Sequence, residues 1–120
     1  MTTQINIQDY NQIINNLAKV EKAAASYKAA QKLLSDIQAK QYEMMTNGEN
    51  FRILDDDFLA AFDKQKAEKR SYNRIIKNFM SQYDCEPYNN EANYYNITYT
   101  DSRYNSIRRY ITNELEVVFE

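Results

Sequence analysis

The chain has 120 residues, of which 43% are hydrophobic and 27% charged, with one cysteine and no histidine. That length and balance suit one folded core and argue against wholesale disorder or a second domain. A formal charge of -2 fits neither a strongly basic nucleic-acid coat nor an acidic nucleic-acid mimic, since each needs a large field of one sign.

A single glycine and a single proline leave little material for sheets or loop-built sites, so long helices with few connections are expected. In the first segment Asn6 is placed to cap a helix, with Asp9 in its first turn. Ile13, Leu17, Val20, Ala24, Tyr27, Ala30, Leu34, Ile37 and Met44 recur at spacings of three or four, with a polar gap at Gln41. This periodicity predicts a helix over 8–46, and Asn47-Gly48 supplies a left-handed stop.

The second segment predicts a helix over 56–82, with Asp55 as its N-cap and Asp56 and Asp57 in its first turn. Phe58, Leu59, Phe62, Tyr72, Ile75, Ile76, Phe79, Met80 and Tyr83 form its apolar face, interrupted by the polar stretch "DKQKAEKRS". Folded back around Gly48, this stretch lies opposite "AAASYKAAQ", residues 23–31, where small residues allow close approach or leave a groove. Because each helix of such a hairpin buries one side only, the C-terminal part, a second copy, or both must cover the rest.

Residues 84–93 predict a connection around Pro87. "YYNITYT", 94–100, has the β-branched and aromatic content of a short strand. Thr100 or Asp101 is placed to cap a third helix running to about 116, with Tyr104, Ile107, Ile111 and Leu115 on one face, while "EVVFE" suits a helix end or a strand equally. The expected fold is mainly α: a single domain with a long antiparallel hairpin of coiled-coil character and a Tyr-rich C-terminal segment, 94–120, holding a third helix and one or two short strands.

Two stretches are candidates for binding. Residues 47–62 carry a net charge of -3 and residues 63–82 a net charge of +4; in the latter, Lys66, Arg70, Arg74 and Lys77 follow spacings of four, four and three along one helix side. That pattern suits a solvated or interface face and also a phosphate-tracking stripe. The run from Pro87 to Tyr110 holds six tyrosines and three arginines. Tyr95, Tyr99, Arg103, Arg108, Arg109 and Tyr110 are the binding candidates there, the last four more readily outward; the stretch has the composition of protein interfaces and of single-strand stacking platforms, and equally of tyrosine rings that cap a small core with hydroxyls facing water.

Enzyme chemistry has little support. No imidazole is present to act as general base, and one glycine cannot build a phosphate loop. Asp55, Asp56 and Asp57 are consecutive, so on a helix they point about 100° apart and suit capping rather than convergence on one ion. Cys85 sits between Asp84 and Glu86, where negative neighbours disfavour a reactive thiolate. No cofactor or metal is expected.

The opening residues lack a basic start and an apolar run, and no stretch is apolar for the ~20 residues that span a bilayer, so a cytoplasmic protein without membrane contact is expected. The function expected is non-enzymatic binding to another protein, with self-association as a homodimer or higher oligomer. In style the chain resembles the small accessory proteins of phages and mobile elements that inhibit host or defence proteins by occluding a surface. A nucleic-acid binder using the same two stretches, and a structural component of a virion or scaffold, are the alternatives.

Overall fold

A computed structural model describes residues 3–83, 85 and 102–118. In chain order they form strand β1 (Thr3–Asn6), helix α1 (Ile7–Thr46), a 3-10 turn (Phe51–Leu54), helix α2 (Asp55–Tyr83), helix α3 (Ser102–Arg109), a π-helical turn (Tyr110–Glu114) and strand β2 (Leu115–Val118). The protein is mainly α, 87% helical over these residues.

Helix α1 starts where its sequence provides a cap: the Asn6 Oδ1 accepts the Asp9 N–H at 2.8 Å, satisfying one of the first-turn donors that a helix leaves without partners. Forty residues on, Gly48 takes φ 75°. Its N–H donates to the Met45 carbonyl at 3.2 Å, and the Glu49 N–H donates to Met44 at 2.8 Å, the paired closure that ends a helix on a left-handed residue. Nothing lies within 4 Å of where a Gly48 Cβ would stand, so the constraint is the backbone alone. Gly48→Ala is therefore expected to destabilise the hairpin by about 1–2 kcal/mol, and Gly48→Asn by less; urea unfolding followed by circular dichroism reads the difference.

Helix α2 begins differently from expectation. Asp55 already has helical angles, φ -61° and ψ -40°, and the cap sits upstream at Asn50, whose side chain accepts the Arg52 N–H at 3.3 Å. The 3-10 turn passes directly into α2, so the Asp55 carboxylate has no orphan N–H to cap and instead accepts from the Gln41 amide at 3.0 Å. Gln41 also donates to the Phe51 carbonyl at 3.3 Å. The polar gap in the α1 stripe is thus the tie that closes the hairpin turn.

Two compact units divide the chain, one made of Met1–Val20 with Ile75–Glu120 and the other of Glu21–Arg74. Most of the buried side chains belong to the first: Ile13, Leu17 and Val20 of α1, Ile76, Phe79 and Met80 of α2, Cys85, and Ser106 and Ile107 of α3. In this unit the Tyr83 hydroxyl accepts the Asn16 amide at 2.6 Å, and the Tyr83 ring tilts against Phe79 at 4.7 Å. The Cys85 N–H returns to the Met80 carbonyl at 3.0 Å and closes the end of α2.

Strand β2 pairs in parallel with β1, in the register Thr3 with Leu115 through Asn6 with Val118. Within "EVVFE", Glu116, Val117 and Val118 are therefore strand, and their partner is the N-terminal segment. The third helix stops at Arg109, short of the expected 116, because the π-helical turn and then β2 take over. The connection over 84–93, Cys85 apart, the strand expected over 94–100 and the caps at Thr100 or Asp101 lie outside the described residues.

The second unit is an antiparallel helical hairpin: Gln41 meets Asp55 near the turn, and the Tyr27 and Tyr72 rings stack at 6.0 Å farther away. Its described core is thin, with Ala30, Ala61 and Tyr72 buried. Local opening costs least where few apolar groups are covered. Amide hydrogen exchange is accordingly expected to be faster over 31–46 and 55–70 than over 10–20 and 75–80, which mass spectrometry of peptides would show.

Candidate protein-contact site

In the hairpin unit α2 carries two parallel stripes, one residue apart and so about 100° apart round the helix. The covered stripe runs through Leu54, Phe58, Ala61, Gln65, Glu68 and Tyr72, all buried or half-buried. The other runs through Asp55, Leu59, Phe62, Lys66 and Lys69, all exposed. Leu59 and Phe62, expected on the buried apolar face, are 57% and 38% exposed. The reason is geometric: a helix with one neighbour covers one narrow stripe, and α1 takes the one centred on Ala61.

Around Phe62 the exposed flank is organised. The Phe58 and Phe62 rings lie 6.2 Å apart and nearly parallel, at 13°, and the Lys66 ammonium sits 5.1 Å from the Phe62 centroid, within reach of the negative ring face.

On the opposite flank an open depression of about 460 Å³ is lined by Leu33, Ile37, Ala60 and Ala61, with Asp57 and Lys64 of opposite charge. Ala60 and Ala61 supply the room, since neither has a side chain long enough to fill it, and Leu33 remains 44% exposed. Of the two arrangements expected beside residues 23–31, close approach or a groove, the open depression lies nearer the turn, at 33–37. At 23–31 the Tyr27 and Tyr72 rings stack and Ala30 is buried.

Of the basic candidates, Lys66, Arg70 and Arg74 are exposed on the hairpin unit, and Lys77 is exposed on the α2 segment that belongs to the other unit. Arg108 and Arg109 are exposed in the last turn of α3, whereas Arg103 and Tyr110 are half-buried. Tyr95 and Tyr99 lie outside the described residues. Ile107 is fully buried and Tyr104 and Ile111 are half-buried, as the inward face of the third helix requires.

Leu59 and Phe62 gave no sign of their exposure, because an apolar residue on a helical stripe reads as core until the number of neighbouring helices is known, while Leu33 lies outside the stripe read on α1. The three aspartates at the start of α2 do not form a cluster: among the described residues no three Cys, Asp or Glu side chains gather as a metal site would need. No described helix is long and apolar enough to cross a membrane.

No family model, curated protein or solved structure matches this chain.

Proposed function

We propose that the chain is a non-enzymatic protein-binding module that works in the cytoplasm by covering a surface of its target. Small accessory proteins of phages or mobile elements act this way when they inhibit host or defence proteins. The observation that supports this reading is the hairpin unit, whose two helices leave apolar surface exposed on both flanks. Exposed apolar side chains gathered on one element mark interaction surfaces.

The groove beside Leu33 and Ile37 has a floor of alanine and a rim of one acid and one base. It would receive aliphatic side chains from a helix of the target, seated as an amphipathic helix seats in a groove. Arg70 and Arg74 add a basic surface on the same unit, suited to acidic residues elsewhere on the target. Self-association belongs to the same reading, since a second copy would also cover exposed apolar surface.

Affinity capture from the natural host, with quantitative mass spectrometry, tests the reading. Leu33→Glu, and separately Arg70→Glu with Arg74→Glu, are expected to reduce capture of the target at least tenfold while leaving the helical circular dichroism unchanged. Undiminished capture by both variants would overturn the proposed surface. Affinity for nucleic acid that falls steeply with salt, in the manner of counterion release, would transfer the basic residues to the nucleic-acid reading.

A further inference from the structure

The exposed stripe of α2 has an order that suits one particular occupant. Asp55, Leu59, Phe62, Lys66 and Lys69 follow spacings of four, three, four and three, the repeat that keeps a seam facing a partner helix. The charges along the seam are sorted: an acid stands at one end, apolar groups in the middle and bases at the other end. A helix with this order is complementary to itself when reversed.

We infer that two copies of this chain associate through α2, antiparallel about a two-fold axis at Phe62. This rests on the contact-module reading, because it assigns one of the hairpin's two exposed flanks to a second copy and leaves the groove at Leu33 for the target. With the axis at Phe62, that ring meets its own copy and Asp55 comes opposite Lys69, while Leu59 and Lys66 stand level with Gln65 and Phe58, half-buried residues at the edge of the seam. The contact is isologous and closes on itself, so it yields a dimer and not a filament.

The internal arrangement already fits this register. Lys66 lies over Phe62 of its own chain, which presents the ammonium beside the place where the second copy's Phe58 would arrive. Its butylene stem would cover the ring while the charge stays at the rim. Asp55 and Lys69 form the outer pair twice, once at each end. A parallel pairing would instead set Asp55 against Asp55 and Lys69 against Lys69, and the repulsion selects against it. Specific interfaces begin at about 1,200 Å² of total buried surface, and one helix pair over about four turns lies near that lower limit. Association at micromolar concentration is the corresponding expectation.

Light scattering on the full chain across a concentration series tests the inference. The wild type is expected to move from the monomer mass of 14.3 kDa towards twice that value, and Phe62→Glu to remain a monomer with an unchanged helical spectrum. Leu59→Glu is a second disrupting variant at a more exposed position. Lys69→Glu and Asp55→Lys should each weaken association about tenfold, because each turns two attractive pairs into two repulsive ones. An equal mixture of those two variants should recover a dimer, since every charged pair is then opposite in sign, and unspecific apolar sticking would not respond in this way. A wild type that stays monomeric throughout, or a dimer indifferent to both Phe62→Glu and Leu59→Glu, overturns the inference. Leu33→Glu is expected to dimerise normally while losing target capture, so failure of the dimer and failure of the target reading are seen separately.

Discussion

Ile76→Ala is expected to lower the stability of the unit that holds it by ~2–5 kcal/mol, the range for truncating a fully buried aliphatic side chain. Ile76 is 0% exposed, on the segment of α2 that also buries Phe79 and Met80. Truncation removes three methyl or methylene carbons' worth of apolar burial and leaves a void that close-packed neighbours fill only in part. Ile107 of α3, also 0% exposed and in the same unit, should respond by a similar amount. Urea unfolding curves of the two single variants and the double variant read the effect. If the two side chains line one cavity, the double variant will depart from the sum of the singles by more than ~0.5 kcal/mol. Ile53→Ser supplies the contrast: at 66% exposed it should change stability by no more than about 0.5 kcal/mol.

Ala30→Leu is expected to destabilise the hairpin unit by about 1–3 kcal/mol through overpacking, although it adds apolar surface. Ala30 is 2% exposed and lies three residues, a little under one turn, from Tyr27, whose ring stacks on Tyr72. A longer side chain at a point where two helices approach closely must displace a ring or push the backbones apart. The near-ultraviolet circular dichroism of the tyrosines would register the first outcome and hydrogen exchange in 55–70 the second. A stabilised Ala30→Leu protein would mean that the helices have room to spare at this point.

What could be read in advance was local. Asn6, Asn47 and Gly48 carry their conformational preferences with them, so both ends of α1 were visible in a few residues. The run of spacings from Ile13 to Met44 needed only the helical repeat. The start of α2 was harder, because Asn50 and Asp55 both cap well and only the 3-10 turn between them decides which one has donors to satisfy. Strand β1 had no local signal at all: of Thr3, Gln4, Ile5 and Asn6 only Ile5 is aliphatic, and the segment becomes a strand because Leu115–Val118 arrives beside it. The candidate site was half legible for a related reason. Charge at Lys66, Arg70 and Arg74 can be read without knowing any neighbour, whereas the exposure of Leu59 and Phe62 depends on how many helices surround them.

The parallel pairing of Thr3–Asn6 with Leu115–Val118 sets an order of events during synthesis. Glu21–Arg74 is an uninterrupted run, so its contacts can form while later residues are still being added at about 5–20 per second. The other unit takes segments from either side of that run, and β1 must wait for a partner translated after the whole hairpin. A nascent chain would therefore display its hairpin before its principal core is closed. Any target or second copy that recognises that hairpin can meet it on the ribosome, and under the proposed α2 pairing the contact surface is on display before the chain is released.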